Sequence, residues 1–483
     1  MASVKKQGST FAPTACSASP LGCCGREAVL YLLGSGVLWM TLALLLSLAG
    51  LVQAFSPGFM AGCSWMHFGH IRPAADAAFI YGFASSAGLG LALWIFAKAG
   101  ETAIKMPGSI LIGTAVWNLG VTYGVTKILC CGGTGFRWLE FPEGANGLLL
   151  LGFVLIAIPA LVTFRSRQTG IAPAQAFGLA AVFFFPWLFT TASALLGSDA
   201  VRGVVQLSIA GWFTAGLVNL WLSFLALSAL FHFIPAALGK PVADRGLAAF
   251  ALWSLAFIGS WTGIQLGTPV PAWVSSLSNG FTLALILPVV AIAAVLFQTA
   301  RNDFLRSHPP QVLFFAYAVK AFVLGNLLLA LGAIPAINRI VRFTPFGEGA
   351  NAFLFYGFIA MAMFGALYVV LPELLDTPWP KPAWVKLHFY AASAGIAAWA
   401  VALVVAGLGQ GKALTDPTVP FLQAVGSAKP LLMLAAIGCA LFSLGFALLG
   451  FNFTLQLWSL CRRCCNCADW FAADKAVTKG ARA

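Results

Sequence analysis

Charge is what this chain has least of. Asp, Glu, Lys and Arg make up only 8% of its 483 residues, and just 14 of them are acidic. A soluble globular domain carries about 25%, so a water-soluble enzyme with an ordinary solvated surface is excluded. No polar stretch is long enough to form a useful soluble domain between the apolar runs. No repeat with a period of roughly 20–50 residues is present, which excludes solenoids, and no clear inverted repeat of the transporter kind is evident. The basic excess, net +13, lacks the aromatic-interleaved stripe of a nucleic-acid binder, so no nucleic-acid partner is expected.

Apolar residues are what is plentiful. Hydrophobic side chains are 60% of the chain, with 41 Phe and 50 Gly. Apolar runs of about 20 residues recur, each long enough for a helix to cross ~30 Å of hydrocarbon. Backbone groups in lipid must pair within their own segment, so helix is the expected form. The fold class is an all-α integral membrane protein, a twelve-transmembrane-helix bundle. Spans are expected near 28–53, 74–98, 107–131, 146–164, 173–196, 205–237, 246–266, 272–299, 311–337, 349–374, 385–408 and 428–459. A basic, Cys-containing tail is expected at 1–27, the membrane domain at 28–460 and a Cys-rich basic tail at 461–483. Lys5 and Lys6 precede a Ser/Thr/Pro/Cys-rich stretch, and the first apolar run begins only after Arg26. That run is therefore expected to be a true span and not a signal peptide.

Excess Lys and Arg mark cytoplasmic loops. With the N-terminus inside, the inner side receives 18 of them and the outer side eight: Arg72, Lys127, Arg137, Arg202, Arg339, Arg342, Lys412 and Lys429. Both termini are thus expected in the cytoplasm, and the lipid bilayer is the first partner.

Candidate chemistry is sparse. Of five histidines, His67 and His70 fall in the loop before the second span, and His232, His308 and His388 at or near cytoplasmic helix ends or in loops. None is expected at mid-membrane, where a buried haem or copper site in a helix bundle draws imidazoles from facing helices. Cys461, Cys464, Cys465 and Cys467 form the densest thiol run and are candidate metal ligands, with free thiols in a reducing compartment as the plainer reading. On the outer side, Cys63 could pair with Cys130 or Cys131 if they are close. Lys320 is the basic residue deepest in a span, and Asp76 the acid placed clearly inside one. With the amides Asn118, Asn219 and Asn326 they are candidates for a polar path, snorkelling being the alternative for Lys320.

Several stretches carry a family resemblance, in order and over residues 28 to 460. They are Gly69-His-Ile-Arg72-Pro73 with Ala-Phe-Ile-Tyr-Gly-Phe83; Leu227 to Val242; Ala251-Leu-Trp253 with Ser260-Trp-Thr-Gly263; Tyr356-Gly-Phe-Ile-Ala-Met361 through Pro372; and Leu387-His-Phe389 through Gly411. The chain resembles subunit I of the cbb3-type, or C-family, heme-copper oxidases. The resemblance implies twelve helices, a bacterial inner (cytoplasmic) membrane, partner membrane subunits including haem-c proteins, and a low-spin haem, a high-spin haem and copper held by six histidines.

Carried onto this sequence, those six positions are occupied by Ala75, Ala215, Gln265, Leu266, Ala350 and Ala352. The helix-seven tyrosine of the family falls near Gly259 and its ninth-helix glutamate near Leu328. The first expectation is a subunit without haem or copper, a pseudoenzyme serving as an integral subunit or scaffold of a respiratory or redox membrane complex. Phe353, Phe355 and Phe358 are then candidates for filling vacated space, although ordinary core packing explains rings there too. A transporter built on the oxidase scaffold is the second reading. The third is an active terminal oxidase with unusual ligands, the one case in which haem b and copper would be present.

Overall fold

The computed structural model describes residues 23–466 apart from 61, 131, 199 and 302–308, with the backbone alone at 23 and 461–466. All regular structure among the described residues is helical. In chain order the main helices are α1 (Cys23–Phe55), α2 (Phe68–Ala99), α3 (Pro107–Leu129), α4 (Glu143–Arg165), α5 (Pro173–Leu196) and α6 (Val204–Leu238). They continue with α7 (Arg245–Gly259), α8 (Ala272–Thr299), α9 (Pro310–Ala333), α10 (Phe346–Leu375), α11 (Ala383–Thr415) and α12 (Lys429–Asn466).

Among the described residues ten helices are long and apolar enough to cross a membrane. The two expected spans outside that set are α3 and α7. In α3 the residues Gly113, Thr114, Asn118, Gly120, Thr122, Tyr123 and Gly124 dilute the apolar run. α7 has 15 residues, about 22 Å at helical rise, short of the hydrocarbon thickness. It stops at Gly259 rather than near 266 because Gly263 takes φ +105° and lies against the Gly211 carbonyl of α6, where a Cβ would not fit. Gln265 and Leu266, expected on the seventh helix, therefore lie in the loop beyond it.

Helical backbone begins at Cys23 and runs on to Asn466, so Cys461, Cys464 and Cys465 belong to α12, while Cys467 and His308 lie outside the described residues. Cys63 and Cys130 are free, and Cys131 lies outside the described residues.

α10, like α2 and α6, is buried along nearly its whole length. Lipid tails are as apolar as leucine, so burial in hydrocarbon does not itself drive helices together; close packing and polar contacts do. Gly349 lets α11 come so near that a Cβ would stand 2.8 Å from the Ala400 carbonyl. Ion pairs pin both ends of α10. At the end expected outside, Glu348 meets Arg72 of α2 at 2.7 Å and Arg137 of the α3–α4 loop at 2.6 Å. At the opposite end, Glu373 meets Lys98 at 2.6 Å and Asp376 meets Arg26.

Candidate functional site

Three of these helices carry a π-helical stretch: Ala78–Ala84 in α2, Leu217–Leu222 in α6 and Phe353–Ala360 in α10. Such insertions widen a helix and are enriched at functional sites. Each begins within three residues of an alanine singled out by the sequence: Ala75, Ala215 and Ala352. The α2 and α10 insertions share Tyr-Gly-Phe, at Tyr81-Gly82-Phe83 and Tyr356-Gly357-Phe358.

Around Ala75 and Ala352 the space between α2, α10, α11 and the α3–α4 loop is taken by rings. Phe79 stacks on Phe355 with centroids 5.3 Å apart, Trp138 sits 4.9 Å from Phe355, and Tyr356 stacks on Trp399 at 4.4 Å. These are the offset and tilted geometries that aromatic quadrupoles favour. The Tyr356 hydroxyl reaches Ser47 at 3.3 Å. Above the rings, Arg72 bridges Asp76 at 3.5 Å and Glu348, and the Trp138 indole N–H donates to Asp76 at 3.2 Å. About 10 Å³ of free space remains there.

Glu140, in the same α3–α4 loop, is buried and its Oε2 has no hydrogen-bond partner among the described residues. Burial pushes its carboxyl up to about 8, and the nearby Asp76 adds to the shift. Backbone N–H groups of Trp138 and Glu140 and the Arg137 guanidinium oppose it.

Around Ala215, Gln265 and Leu266 the arrangement is the opposite. These residues line a cavity of about 470 Å³ between α6, α8, α9, the α3–α4 and α7–α8 loops, and the segment leading into α10. Its rim carries exposed Gln265 and Phe343, and its floor buried Val218, Asn219 and Leu285. Asn219 donates to Thr262 at 3.3 Å. Asn279 and Asn351 line the cavity and make no side-chain hydrogen bond to a described residue. Asn351, between Ala350 and Ala352, borders both this cavity and the ring-filled space.

The polar-path candidates are not brought together. Lys320 is exposed on α9, while Asp76 is buried in the Arg72 network. Asn118 accepts from Trp39 at 2.7 Å, and Asn326 donates to the Phe322 carbonyl of its own helix. Only Asn219 reaches the cavity. His388, expected near a helix end, lies six residues into α11 but is fully buried, its Nδ1 2.9 Å from the Tyr368 hydroxyl.

As ligands, Ala75, Ala215, Ala350 and Ala352 offer no donor atom, and Leu266 offers none from its side chain. Among the described residues no group of three or more His, Cys, Asp or Glu is placed to hold a metal ion. Sequence reasoning missed the π-helical stretches, the network on Glu348 and the cavity cation Arg342. The repeated Tyr-Gly-Phe and the rarity of acids were the available signals.

A helical membrane bundle with a buried, π-widened tenth helix pinned at both ends defines the class: a polytopic protein of the oxidase subunit I type. The family model for cytochrome c and quinol oxidase polypeptide I matches residues 27–441. The chain is 23% identical over 452 residues to the cytochrome c oxidase subunit 1 homolog of Azorhizobium caulinodans, covering 86% of this chain and 79% of that one. It is 21% identical over 412 residues to the cbb3-type cytochrome c oxidase subunit CcoN1 of Stutzerimonas stutzeri, covering 80% and 85%. The solved structure of a heme-copper terminal oxidase dimer has the same fold, with a TM-score of 0.71 at 15% identity over 90% of this chain and 84% of that one. The protein belongs to the cytochrome c and quinol oxidase polypeptide I family and is a divergent member similar to its cbb3-type subunits.

Proposed function

We propose that this chain is an oxidase-subunit-I-like membrane protein that has lost its haem and copper sites and acts as a non-catalytic integral subunit, a scaffold within a respiratory or redox complex. One observation carries the reading: at Ala75 and Ala352, where the family's ligands would stand, the space is packed with Phe79, Phe355, Tyr356 and Trp399. A macrocycle would have to displace four buried rings and would find no donor on either alanine. At Ala215 the side chain again offers no donor, and it borders the open cavity. The residues present do not fit the family's cofactors. The scaffold role draws support from relatives that are themselves named as subunits.

In this reading α3 and α7 complete twelve membrane helices, both termini face the cytoplasm, and the membrane is the bacterial inner one. An optical spectrum of the full chain purified from native membranes, with a census of co-purifying proteins, tests it. The expected result is no Soret band approaching one haem per chain, together with other membrane subunits in the preparation. A near-stoichiometric Soret band overturns the loss of the sites, and a chain that comes down alone overturns the scaffold role.

A further inference from the structure

The three arginines at the end of the bundle expected outside do not have equal partners. Arg72 and Arg137 converge on Glu348 and occupy one carboxylate oxygen each. Glu348 also lines the cavity, its charge met by these two guanidinium groups. Arg342, at the cavity, has no carboxylate partner among the described residues. Its Nη1 donates to the Leu266 carbonyl at 2.6 Å, its guanidinium lies 4.8 Å from the Phe343 ring centroid, and its Nε is buried without a partner. The loop is shaped around it: Gly267 has φ +74°, and a Cβ there would stand 2.8 Å from Arg342 Nη1.

An uncompensated guanidinium beside a partly buried cavity favours an anion, and its fork geometry matches a carboxylate. The rest of the cavity calls for an organic body. Its floor includes the apolar Val218 and Leu285, and Leu329 lies on its wall. Asn279 and Asn351 add amides with unused donors and acceptors. Its size falls within the ~300–1,000 Å³ of small-molecule sites, which are likewise mostly apolar with a few fixed polar groups.

We propose that this cavity binds a small organic acid, its carboxylate on Arg342 and its apolar body between α6, α8 and α9 with Asn279 and Asn351 beside it. The site rests on the reading that no haem occupies this space.

The test is equilibrium binding of radiolabelled benzoate and hexanoate to the purified full chain in neutral detergent, with benzamide as uncharged competitor and the optical spectrum taken on the same sample. Saturable binding near one per chain is expected, poorly displaced by benzamide. Arg342→Met should weaken it by about tenfold or more, the scale of a lost charge-assisted contact. Asn279→Leu, which keeps the arginine and the loop bond, should weaken it several-fold, and Lys320→Met on the exposed face of α9 should leave it unchanged. If Arg342→Met fails to fold, Asn279→Leu and the benzamide competition still decide. No saturable binding by a haem-free wild type overturns the site while leaving the loss of haem standing. A Soret band on that sample overturns both. Equal displacement by benzamide, unaltered binding in Asn279→Leu, or binding only of an anionic phospholipid titrated in mixed micelles also overturns it.

Discussion

Two regions flank Asn351, and the chain treats them differently. On the α2 side the space near Ala75 and Ala352 is closed by Phe79, Phe355, Tyr356, Trp138 and Trp399, leaving about 10 Å³. On the α6 side the space near Ala215 and Gln265 stays open at about 470 Å³, and among its apolar lining stand amides, hydroxyls, Glu348 with its partner Arg137, and Arg342 without a carboxylate partner among the described residues. If alanines had replaced larger residues with no further change, both regions would be voids. Voids cost dispersion contacts, which matter more in lipid, where transfer to the interior brings little gain. Ring packing removes that cost on one side. On the other, polar walls admit water or a solute, so no equivalent pressure to fill exists. The difference supports a structural role for the first region and a binding role for the second.

The largest test of this contrast is Trp399→Ala. Trp399 is 1% exposed and stacked on Tyr356. Truncation should cost about 2–4 kcal/mol in reversible unfolding from mixed micelles, somewhat below soluble-protein values because the transfer contribution is reduced in lipid. A loss under about 1 kcal/mol would mean that the ring-filled side is as loosely packed as the open one.

Much of this architecture was readable in the sequence, for definite reasons. The apolar runs reported helices because lipid leaves the backbone no other solution, and ten of them appear where expected. Run length failed at α7, whose end is set by the contact of Gly263 with Gly211, a tertiary event without local signature. The alanines at 75, 215, 350 and 352 were visible as absences, but not what surrounds them. Stacking of Tyr356 on Trp399 joins residues 43 positions apart in different helices. Lys320 shows the same limit: it was legible as a basic residue within an apolar run, whereas its exposure depends on how α9 packs. Arg342 was readable as an outer-loop cation, whereas the pairing of Glu348 with Arg72 and Arg137 rather than with it is a tertiary outcome.

The next effect is a pH slope from the ring-filled side. Glu140 is held at about 8 in the folded protein against 4.5 for a free glutamate. A raised folded value means that the native state binds the proton more tightly. Its stabilisation is fully present below pH ~4.5 and is lost as pH rises toward 8 and beyond. Wild-type protein should therefore lose about 1.4 kcal/mol per pH unit within that window from this group. Glu140→Gln, which mimics the protonated acid, should match wild type near pH 5 and flatten the slope above it, read as melting temperature against pH in one buffer series. An unchanged slope would place the Glu140 carboxyl in water and leave the loop over the rings open.

Asn351 gives the smallest effect and separates the two regions most cleanly. It borders both, is half-buried, and makes no side-chain hydrogen bond to a described residue. If it belongs to the cavity, Asn351→Ala only enlarges a wet wall, no donor or acceptor loses a partner, and the cost should stay within about 0.5 kcal/mol. If instead it seals the rings, the same truncation joins the two spaces, exposes the edge of Phe355 and costs well over 1 kcal/mol. Unfolding of Asn351→Ala beside Trp399→Ala, in the same micelles, decides between these. A small loss for the first with a large loss for the second keeps the boundary at Asn351. Similar losses for both would merge the regions into a single packed core, and the open side would then need an explanation other than its polar walls.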